Sequence, residues 1–258
     1  MNLSPNVKQR PSEPARAFGA VPSGAGDEAA AAAAVREMFT AIAPRYDLLN
    51  HLLSFNVDRY WWWRTARRFR PLLSRHSARV LDLCCGTGDL TRALRRQAAT
   101  AEPIIGIDFS HAMLVRGARK TERQNIRLLE ADALRLPFRE NSFDVVTSAF
   151  GFRNLANYEA GLREIYRVLA PAGEVGILDF AEPKGMRGKI YRIYFRHVLP
   201  KIGTFLSGVK GPYAYLPASV ARFPSPEEML PQMQRIGFQE VSWKPYTFGI
   251  AGLFRGKK

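Results

Sequence analysis

Residues 80–91, VLDLCCGTGDLT, decide the fold of this chain. The apolar run at the start of this stretch predicts a buried strand, Gly86 and Gly88 predict a tight turn, and a helix is expected to begin at Asp89. A strand, a glycine turn and a helix together form the nucleotide site of parallel α/β sheets. Glycine permits a close approach of the backbone, and the N-terminus of the helix offers free N–H groups.

Two nucleotide-site patterns compete for this turn, beside the plain alternative of an ordinary strand-to-helix connection. A dinucleotide site would show G-x-G-x-x-G/A, but Thr91 stands where the third small residue belongs. The other pattern, D/E-x-G-x-G-x-G, is typical of sites for S-adenosylmethionine (SAM), and Asp82, Gly86 and Gly88 match it. Cys84 replaces the first glycine of that pattern, which predicts that this position does not need a positive φ.

From residue 79 onward, strand-like and helix-like stretches alternate. The strand-like stretches are RVLDLCC, IIGID, IRLLEAD, FDVVTSAF and EVGILDF, with helices predicted from residue 89, from Ser110 and over 158–169. Ser225-Pro-Glu-Glu228 predicts a capped helix, and two last strand-like runs, FQEVSWKPY and FGIAGLFRG, are joined by a short turn that predicts antiparallel pairing. The alternation predicts an α/β fold with a doubly wound, mostly parallel sheet.

The segments outside this alternation differ in composition. Residues 1–27 are rich in Pro, Gly, Ser and Ala and lack periodicity, which predicts a disordered tail. Residues 28–70 predict helices, one of which begins near Asp58 as its N-cap. Residues 184–223 interrupt the rhythm and predict an insertion on the acceptor side of the site. We therefore expect one domain over 28–258.

Composition limits the classes of partner and compartment. The chain has 38 Lys and Arg against 23 Asp and Glu, a formal net charge of +15. This charge favours an anionic partner such as a membrane surface, a nucleic acid or an acidic ligand, although a general arginine preference that only aids solubility explains it as well. No apolar run approaches the roughly 20 residues that cross a bilayer.

The two cysteines, Cys84 and Cys85, are adjacent. Neighbours in one strand point to opposite faces, so these two are not expected to form a disulfide. Neither shows the spacing of metal ligands, and no metal is predicted. This cysteine usage predicts a cytoplasmic protein in a reducing compartment.

Three acidic residues stand at the ends of three successive predicted strands: Asp82, Asp108 and Asp132. The carboxyl ends of parallel strands meet at one edge of the sheet, so we expect these residues to lie at the same ligand site. SAM needs a carboxylate near its cationic end, a bidentate acceptor for its ribose diol and an acceptor for its adenine amine. Asp82, Asp108 and Asp132 fit these needs in that order, with the backbone N–H of Ala133 beside the adenine ring. Each acid alone could also be a solvated loop residue or a helix cap.

The chain resembles the class I SAM-dependent methyltransferases and, within them, the ubiquinone/menaquinone biosynthesis C-methyltransferase family. The resemblance covers about residues 35–258, and its most specific signatures are A-P-x-Y-D-x-L-N and F-G-x-R-N. The matching stretches are FTAIAPRYDLLNHLLSF, VLDLCCGTGDLT, GIDFSHAML, ADALRLPF, FDVVTSAFGFRNL, YRVLAPAGEVGILDF and HVLPKIG. It implies a Rossmann-like sheet of seven strands with an N-terminal helical segment and a cap insertion. It also implies SAM as methyl donor and methyl transfer to a ring carbon of a prenylated quinol, most simply demethylmenaquinol.

The same resemblance implies roles for individual residues. Thr87, Asp108 and the pair Asp132–Ala133 correspond to positions that contact SAM in the family. A further contact at the end of the fourth strand is often a serine, but here that position is Ala149. No side-chain hydrogen bond is therefore expected there.

The chemistry of a quinol acceptor suggests candidate catalytic residues. Loss of the hydroxyl proton directs electron density to the ortho carbon, so the site must align the ring with the methyl group and stabilise a phenolate. Arg153 and Asn154 follow the fourth strand, and Arg153 either stabilises the phenolate or pairs with a structural carboxylate. His197 is a second candidate, as general base, with a packed core histidine as the alternative. Tyr46 and Asp47 are expected either to close over SAM or to be structural.

The segment 59–70 interleaves Trp61, Trp62 and Trp63 with arginines. Three interpretations stay open: an interfacial helix on anionic lipid, core packing of the indoles, and stacking on nucleic acid. A polyprenyl quinol resides in the bilayer, which favours peripheral contact with the inner face of the membrane over nucleic acid. A homo-oligomer is also left open.

Two alternative functions remain at this stage. The acceptor could be the methoxy-benzoquinol of the ubiquinone pathway, alone or in addition. From another class, the chain could be a basic RNA-binding protein or RNA methyltransferase on the same scaffold. Base methyltransferases often carry N/D-P-P-Y/F after the fourth strand, whereas this chain has the apolar run AFGFRNL at 149–155, which suits a hydrophobic ring.

Overall fold

The computed structural model describes residues 25–183 and 212–258, together with Gly19, Ala20, Pro22, Met186 and Gly188. Four helices precede the sheet: α1 (Glu28–Ile42), α2 (Tyr46–Leu53), α3 (Val57–Arg68) and α4 (Arg70–Leu73). Pro44 lies in the short 3-10 turn that separates α1 from α2.

The described strands form one sheet of seven, in the order β3-β2-β1-β4-β5-β7-β6. They are β1 (Val80–Leu83), β2 (Ile104–Asp108), β3 (Ile126–Glu130), β4 (Phe143–Ala149), β5 (Leu169–Phe180), β6 (Gln239–Tyr246) and β7 (Ala251–Lys257). Strands β1 to β5 pair in parallel, whereas β7 runs antiparallel to both β5 and β6. The predicted sheet and its antiparallel C-terminal pair are confirmed.

The strand order reverses direction between β1 and β4. From β1 the chain continues outward to β2 and β3, and it then returns to add β4 and β5 on the other side. Such a switch point leaves a crevice at the carboxyl ends of the two central strands, which is where open α/β sheets bind ligands.

Helices cover both faces of the sheet. They are α5 (Asp89–Gln97), α6 (His111–Thr121), α7 (Tyr158–Val168), α8 (Pro212–Arg222) and α9 (Pro226–Ile236). Neighbouring strand residues alternate between two hydrophobic clusters: Val146 packs in one and Val145 in the other. This period-two alternation confirms a doubly wound architecture.

The predicted cap of α9 is confirmed, but the predicted cap of α3 is wrong. Ser225 and Glu228 form a complete capping box. The N-cap of α3 is Asn56, not Asp58, which lies buried inside the first turn and accepts a hydrogen bond from His51 Nδ1 at 2.8 Å. The turn between α2 and α3 requires a left-handed backbone at Asn56, φ 59°, a conformation that asparagine tolerates better than most residues.

Two predicted segments fall largely outside the described residues. The disordered tail over 1–27 stays a prediction; near its end, Ala20 is buried and its N–H donates to the Leu155 carbonyl at 2.8 Å. The insertion over 184–223 also stays a prediction, and its described residues are Met186, Gly188 and 212–223, which include α8. Within the described ranges, no helix has the length and apolar character needed to cross a membrane.

Candidate active site

A cavity opens beyond the carboxyl ends of β1, β2 and β4, at the switch point of the sheet. Its lining is mostly apolar, and Asp108 and Asp132 are its acidic members. Six of the predicted site residues lie in this lining: Gly86, Asp108, Asp132, Ala133, Ala149 and Asn154. The structure thus brings these residues together at one edge of the sheet, and their contacts with a ligand stay predictions.

The glycine turn adopts the backbone that its sequence predicts, with one correction. Gly86 and Gly88 have φ of 55° and 84°, a region that favours glycine. Cys84 also has a positive φ, 54°, so the expectation that this position needs none is wrong. Gly151 makes room for it: a Cβ at Gly151 would lie 2.3 Å from Cys84 Cβ.

Asp108 lies buried at the end of β2 with its carboxylate aimed at the turn. Its Oδ2 accepts the N–H of Gly86 at 2.8 Å and its Oδ1 accepts the N–H of Ser110 at 2.9 Å. Burial raises the pKa of Asp108 to about 6, and the backbone donors partly oppose that rise. Each oxygen keeps a lone pair for a further donor, so this carboxylate can accept two ribose hydroxyls.

Asp132 lies at the adjacent edge of the cavity, after β3. Its Oδ1 accepts the N–H of Leu134 at 2.9 Å, which fixes the side chain in a tight turn. Ala133 is buried in the lining beside it. An acceptor oxygen next to a backbone N–H is the pair that an adenine edge requires.

Asp82 lies beneath the turn and outside the cavity lining. Its two oxygens accept the hydroxyls of Thr91 at 2.6 Å and Thr147 at 2.9 Å, so it links β1 with α5 and β4. Burial raises the pKa of Asp82 to about 7, and the two hydroxyls partly oppose that rise. Direct contact of Asp82 with SAM stays a prediction, and the observed contacts make this residue a support of the turn.

Thr87 connects the turn to the N-terminal helices. Its hydroxyl donates to Asp47 Oδ1 at 2.6 Å. Lys120 Nζ lies 2.9 Å from Asp47 Oδ2, 2.8 Å from Thr87 Oγ1 and 2.8 Å from Asp89 Oδ1. Lys120 was not predicted, because nothing in the spacing of the sequence relates it to Asp47, which stands 73 positions earlier.

Tyr46 lies over the turn and lines the cavity. A Cβ on Gly86 would lie 3.9 Å from its ring. Burial raises the pKa of Tyr46 to about 12. The phenol therefore keeps its proton at neutral pH and can act as a hydrogen-bond donor to a ligand.

The structure supports the second of the two roles that the sequence left open for Arg153, a pair with a structural carboxylate. Arg153 is buried, and its side-chain Nη1 lies 2.9 Å from Asp179 Oδ1. Its backbone N–H donates to Asp179 Oδ2 at 3.1 Å. Nη1 also donates to the Phe150 carbonyl, and the guanidinium carbon lies 5.2 Å from the Phe180 ring centre. Arg153 is not in the cavity lining, so its geometry is that of a structural pair next to the site.

Asn154 lines the cavity and accepts a hydrogen bond from α8, a helix within the 184–223 segment that the sequence assigned to the acceptor side. Tyr215 of α8 donates its hydroxyl to Asn154 Oδ1 at 3.2 Å. Ser219, also of α8, lies 3.4 Å from Arg153 Nε. The insertion therefore reaches the acceptor side through α8. His197 lies outside the described residues, and its role stays a prediction.

The three tryptophans have different environments. Trp61 is buried, donates its Nε1–H to Thr247 Oγ1 at 2.8 Å and packs on Phe150 and Phe180. Core packing therefore explains this residue, and it supports the cavity wall at Phe150. Trp62 is half-buried and Trp63 is 43% exposed, so both remain available to a partner.

The residues at the cavity fit SAM. Gly86 leaves the open space that a side chain would fill, Asp108 offers its unused lone pairs to a diol, and the Asp132–Ala133 pair offers an acceptor and a donor. Among the described residues of this lining there is no Lys, Arg or His. The cationic sulfonium of SAM would therefore meet carboxylate and aromatic neighbours.

Comparison with known proteins agrees with this geometry. A sequence model of the ubiE/COQ5 methyltransferase family matches residues 27–258. A demethylmenaquinone methyltransferase of Deinococcus radiodurans is 47% identical over 90% of this chain and 96% of its own length. One of Thermus thermophilus is 48% identical over 86% of this chain and 100% of its own.

Solved structures agree on the fold. A SAM-dependent methyltransferase of Thermotoga maritima superposes with a TM-score of 0.58 at 19% identity, over 86% of this chain and 99% of that one. Another, from Mesorhizobium loti, superposes with a TM-score of 0.55 at 17% identity, over 76% and 97%. The chain belongs to the ubiE/COQ5 methyltransferase family and uses SAM as its methyl donor.

Proposed function

We propose that this chain methylates a ring carbon of a prenylated quinol, with demethylmenaquinol as substrate and menaquinol as product. The observation that carries this proposal is the apolar part of the cavity lining, which includes Phe39, Phe109, Phe150 and Leu155. Such walls suit a flat aromatic ring and exclude water from it. The names of the relatives at 47% and 48% identity support the same substrate.

The donor half of the cavity holds and orients SAM. SAM supplies an electrophilic methyl group when it is bound. Asp108 binds the ribose diol, the Asp132–Ala133 pair binds the adenine edge, and Gly86 lets the backbone approach the methionine end. Thr87 and Asp47 keep α2 against this turn. The chain thereby fixes the direction from which the acceptor must approach.

Two donors at the cavity stabilise the charge that develops on the quinol. Asn154 lines the cavity, and Tyr215 fixes its amide orientation by donating to Oδ1. One N–H of Nδ2 donates to the Phe150 carbonyl at 3.4 Å, and the second is left for a ligand oxygen. Tyr46 lines the same cavity, and its phenol keeps its proton at neutral pH, as an ordinary tyrosine does. Donors that are already oriented stabilise a developing phenolate more than water does. Arg153 acts as a positioning residue for this wall, and His197 remains the candidate general base.

An assay with competing acceptors tests this proposal. The purified chain would be given SAM with a labelled methyl group and, in separate reactions, demethylmenaquinol, the demethylated methoxy-benzoquinol, or RNA. We expect label on a ring carbon of demethylmenaquinol. The benzoquinol is the second candidate, because a relative of Geobacter sulfurreducens at 42% identity is named for both quinone pathways. Label in RNA, or none in either quinol while SAM still binds, would overturn the proposal.

The chain also reaches its substrate at a membrane surface. Leu48, Leu52 and Phe55 follow one another at helical spacing along α2 and its end, and they are 66%, 49% and 75% exposed. Exposed apolar residues on a chain with a net charge of +15 are the combination that favours binding to anionic lipid. This surface is placed to receive a substrate whose prenyl tail stays in the bilayer.

Vesicle flotation with Leu52→Ser/Phe55→Ser tests this contact. A matched control is Val115→Ser/Leu129→Ser, whose side chains on α6 and β3 are 43% and 40% exposed. We expect the wild type and the control to float with vesicles of phosphatidylcholine and phosphatidylglycerol, and the α2 variant to remain in solution. Equal flotation of all three proteins would rule out α2 as the contact.

A further inference from the structure

A second pocket lies between α3 and α5, outside the cavity at the strand ends. Arg59, Trp62 and Trp63 contribute to it from α3, and their spacing places them on one face of that helix. Arg92 and Arg96 contribute from α5, one helical turn apart. Three guanidinium groups and two indoles thus converge on one place that the methyl-transfer site does not use.

The charges of this pocket are not balanced by the protein. Asp47 and Asp89, the carboxylates in its lining, are both taken by Lys120, at 2.9 and 2.8 Å. Within the described part of the chain, no carboxylate pairs with any of the three arginines. The pocket therefore carries an excess of positive charge.

Arg92 is the least exposed of the three arginines. Its Nε is buried and has no hydrogen-bond acceptor among the described residues. A buried N–H without an acceptor is costly, and it is more so on a charged group. Because Nε is closed to solvent, a ligand in the pocket would bind the Nη atoms of Arg92 instead.

We propose that the α3–α5 pocket is a binding site for a phosphate group. Guanidinium groups bind tetrahedral phosphate through paired N–H donors, which suits Arg92, Arg96 and Arg59 on facing helices. The indoles of Trp62 and Trp63 close the pocket with apolar surface, and Trp62 is fixed by the His51 ring at 5.8 Å. The phosphate comes either from the headgroup of an anionic lipid or from a soluble phosphate compound.

The proposal of a phosphate site in the α3–α5 pocket does not depend on which quinol the chain methylates. The α3–α5 pocket adjoins the glycine turn, because Asp47 and Lys120 line the pocket and are also hydrogen-bonded to Thr87. A phosphate bound there would be next to the residues that hold α2 against the cofactor turn.

The test compares two double variants that remove the same charge. Arg92→Gln/Arg96→Gln changes the pocket, whereas Arg119→Gln/Arg235→Gln changes exposed arginines on α6 and α9 that lie outside it. Calorimetry with pyrophosphate and with inorganic phosphate measures the soluble arm. Flotation with phosphatidylcholine vesicles, with and without phosphatidylglycerol, measures the lipid arm. SAM binding by each variant shows that it is folded, and Arg59→Gln serves if the pocket variant is not.

We expect the pocket variant to bind phosphate at least about tenfold more weakly than the control, since it loses charged hydrogen bonds from two arginines. A loss seen with vesicles assigns the phosphate to lipid, and a loss seen with pyrophosphate alone assigns it to a soluble compound. Equal weakening in both double variants would mean diffuse attraction and would overturn the site, as would absence of binding in both arms by the wild type.

Discussion

The carboxyl group of Asp82 is buried beneath the cofactor turn, and burial raises its pKa to about 7 although two threonine hydroxyls donate to it. An aspartate in an unfolded chain titrates near ~3.9. The folded state therefore holds a proton that the unfolded state has already lost. The contribution of Asp82 to the free energy of unfolding is fully present below the unfolded pKa and is lost as the pH rises through about 7.

Asp82→Asn should remove this dependence. We expect the free energy of unfolding of the wild type, relative to Asp82→Asn, to fall by about 1.4 kcal/mol per pH unit between the two pKa values. Urea unfolding at a series of pH values measures it. Asp132→Asn is the control, because Asp132 is exposed. A wild-type advantage that is constant with pH would contradict the buried, protonated state.

Arg153 is expected to act through its pairing with Asp179. Arg153→Ala leaves a buried carboxylate without its counter-ion, and we expect a loss of about 3–5 kcal/mol in the free energy of unfolding. Arg153→Met/Asp179→Leu removes both charges and should recover most of that loss. Urea unfolding of both variants measures these two changes.

The same double variant separates folding from catalysis. Arg153 also holds the Phe150 carbonyl next to Asn154, so we expect methyl transfer to slow by about a hundredfold while SAM binding persists. Wild-type turnover with intact SAM binding would exclude any role of Arg153 in the reaction.

Sequence reasoning placed some of these residues and missed their partners. Asp108 and Asp132 could be assigned to one edge because the alternation of strands and helices fixes where strands end. The partners of Asp82 and Arg153 could not, because Thr147 and Asp179 belong to other strands, 65 and 26 positions away. Contacts between strands depend on register, which no local pattern gives.

Among the elements, the strands of the sheet could be predicted from the sequence, but the backbone conformation of two turns could not. The apolar runs bounded by turn residues predicted the seven strands, and the short last turn predicted the antiparallel β6 and β7. The errors lie at Asp58 and Cys84, where a left-handed backbone was not foreseen at Asn56 and at Cys84 itself. At Asn56 the turn between α2 and α3 requires this backbone, and at Cys84 the distant Gly151 leaves the space for it.

The attachment of α2 to the cofactor turn depends on Asp47. We expect Asp47→Ala to weaken SAM binding about threefold to tenfold, because it removes partly exposed charged hydrogen bonds to Thr87 and Lys120. Backbone amides of α2 should also exchange faster with solvent. Calorimetry and hydrogen exchange measure the two effects.

Glu37→Ala is the control for this prediction, because it removes an exposed carboxylate from the neighbouring α1. It should change neither quantity. Unaltered SAM binding in Asp47→Ala would show that α2 is not held over the turn by this contact.

On the scale of the whole molecule, the N-terminal helices bring three features together. They supply Tyr46 to the cavity, exposed apolar residues to the proposed membrane contact, and Arg59 with two indoles to the proposed phosphate site. In the proposed reaction, the acidic residues at the strand ends bind SAM, and the N-terminal helices contribute to the acceptor side of the cavity. A homo-oligomer stays a prediction, which the mass of the purified protein in solution would test.

The quinone content of a strain that lacks this protein tests the proposed reaction most directly. We predict that demethylmenaquinone accumulates, that the wild-type gene restores menaquinone, and that a copy with Asp108→Asn does not, because the proposed ribose contact needs two accepting oxygens and asparagine offers one. An unchanged quinone profile in the strain, or full restoration by Asp108→Asn, would contradict the assignment of this chain and its site.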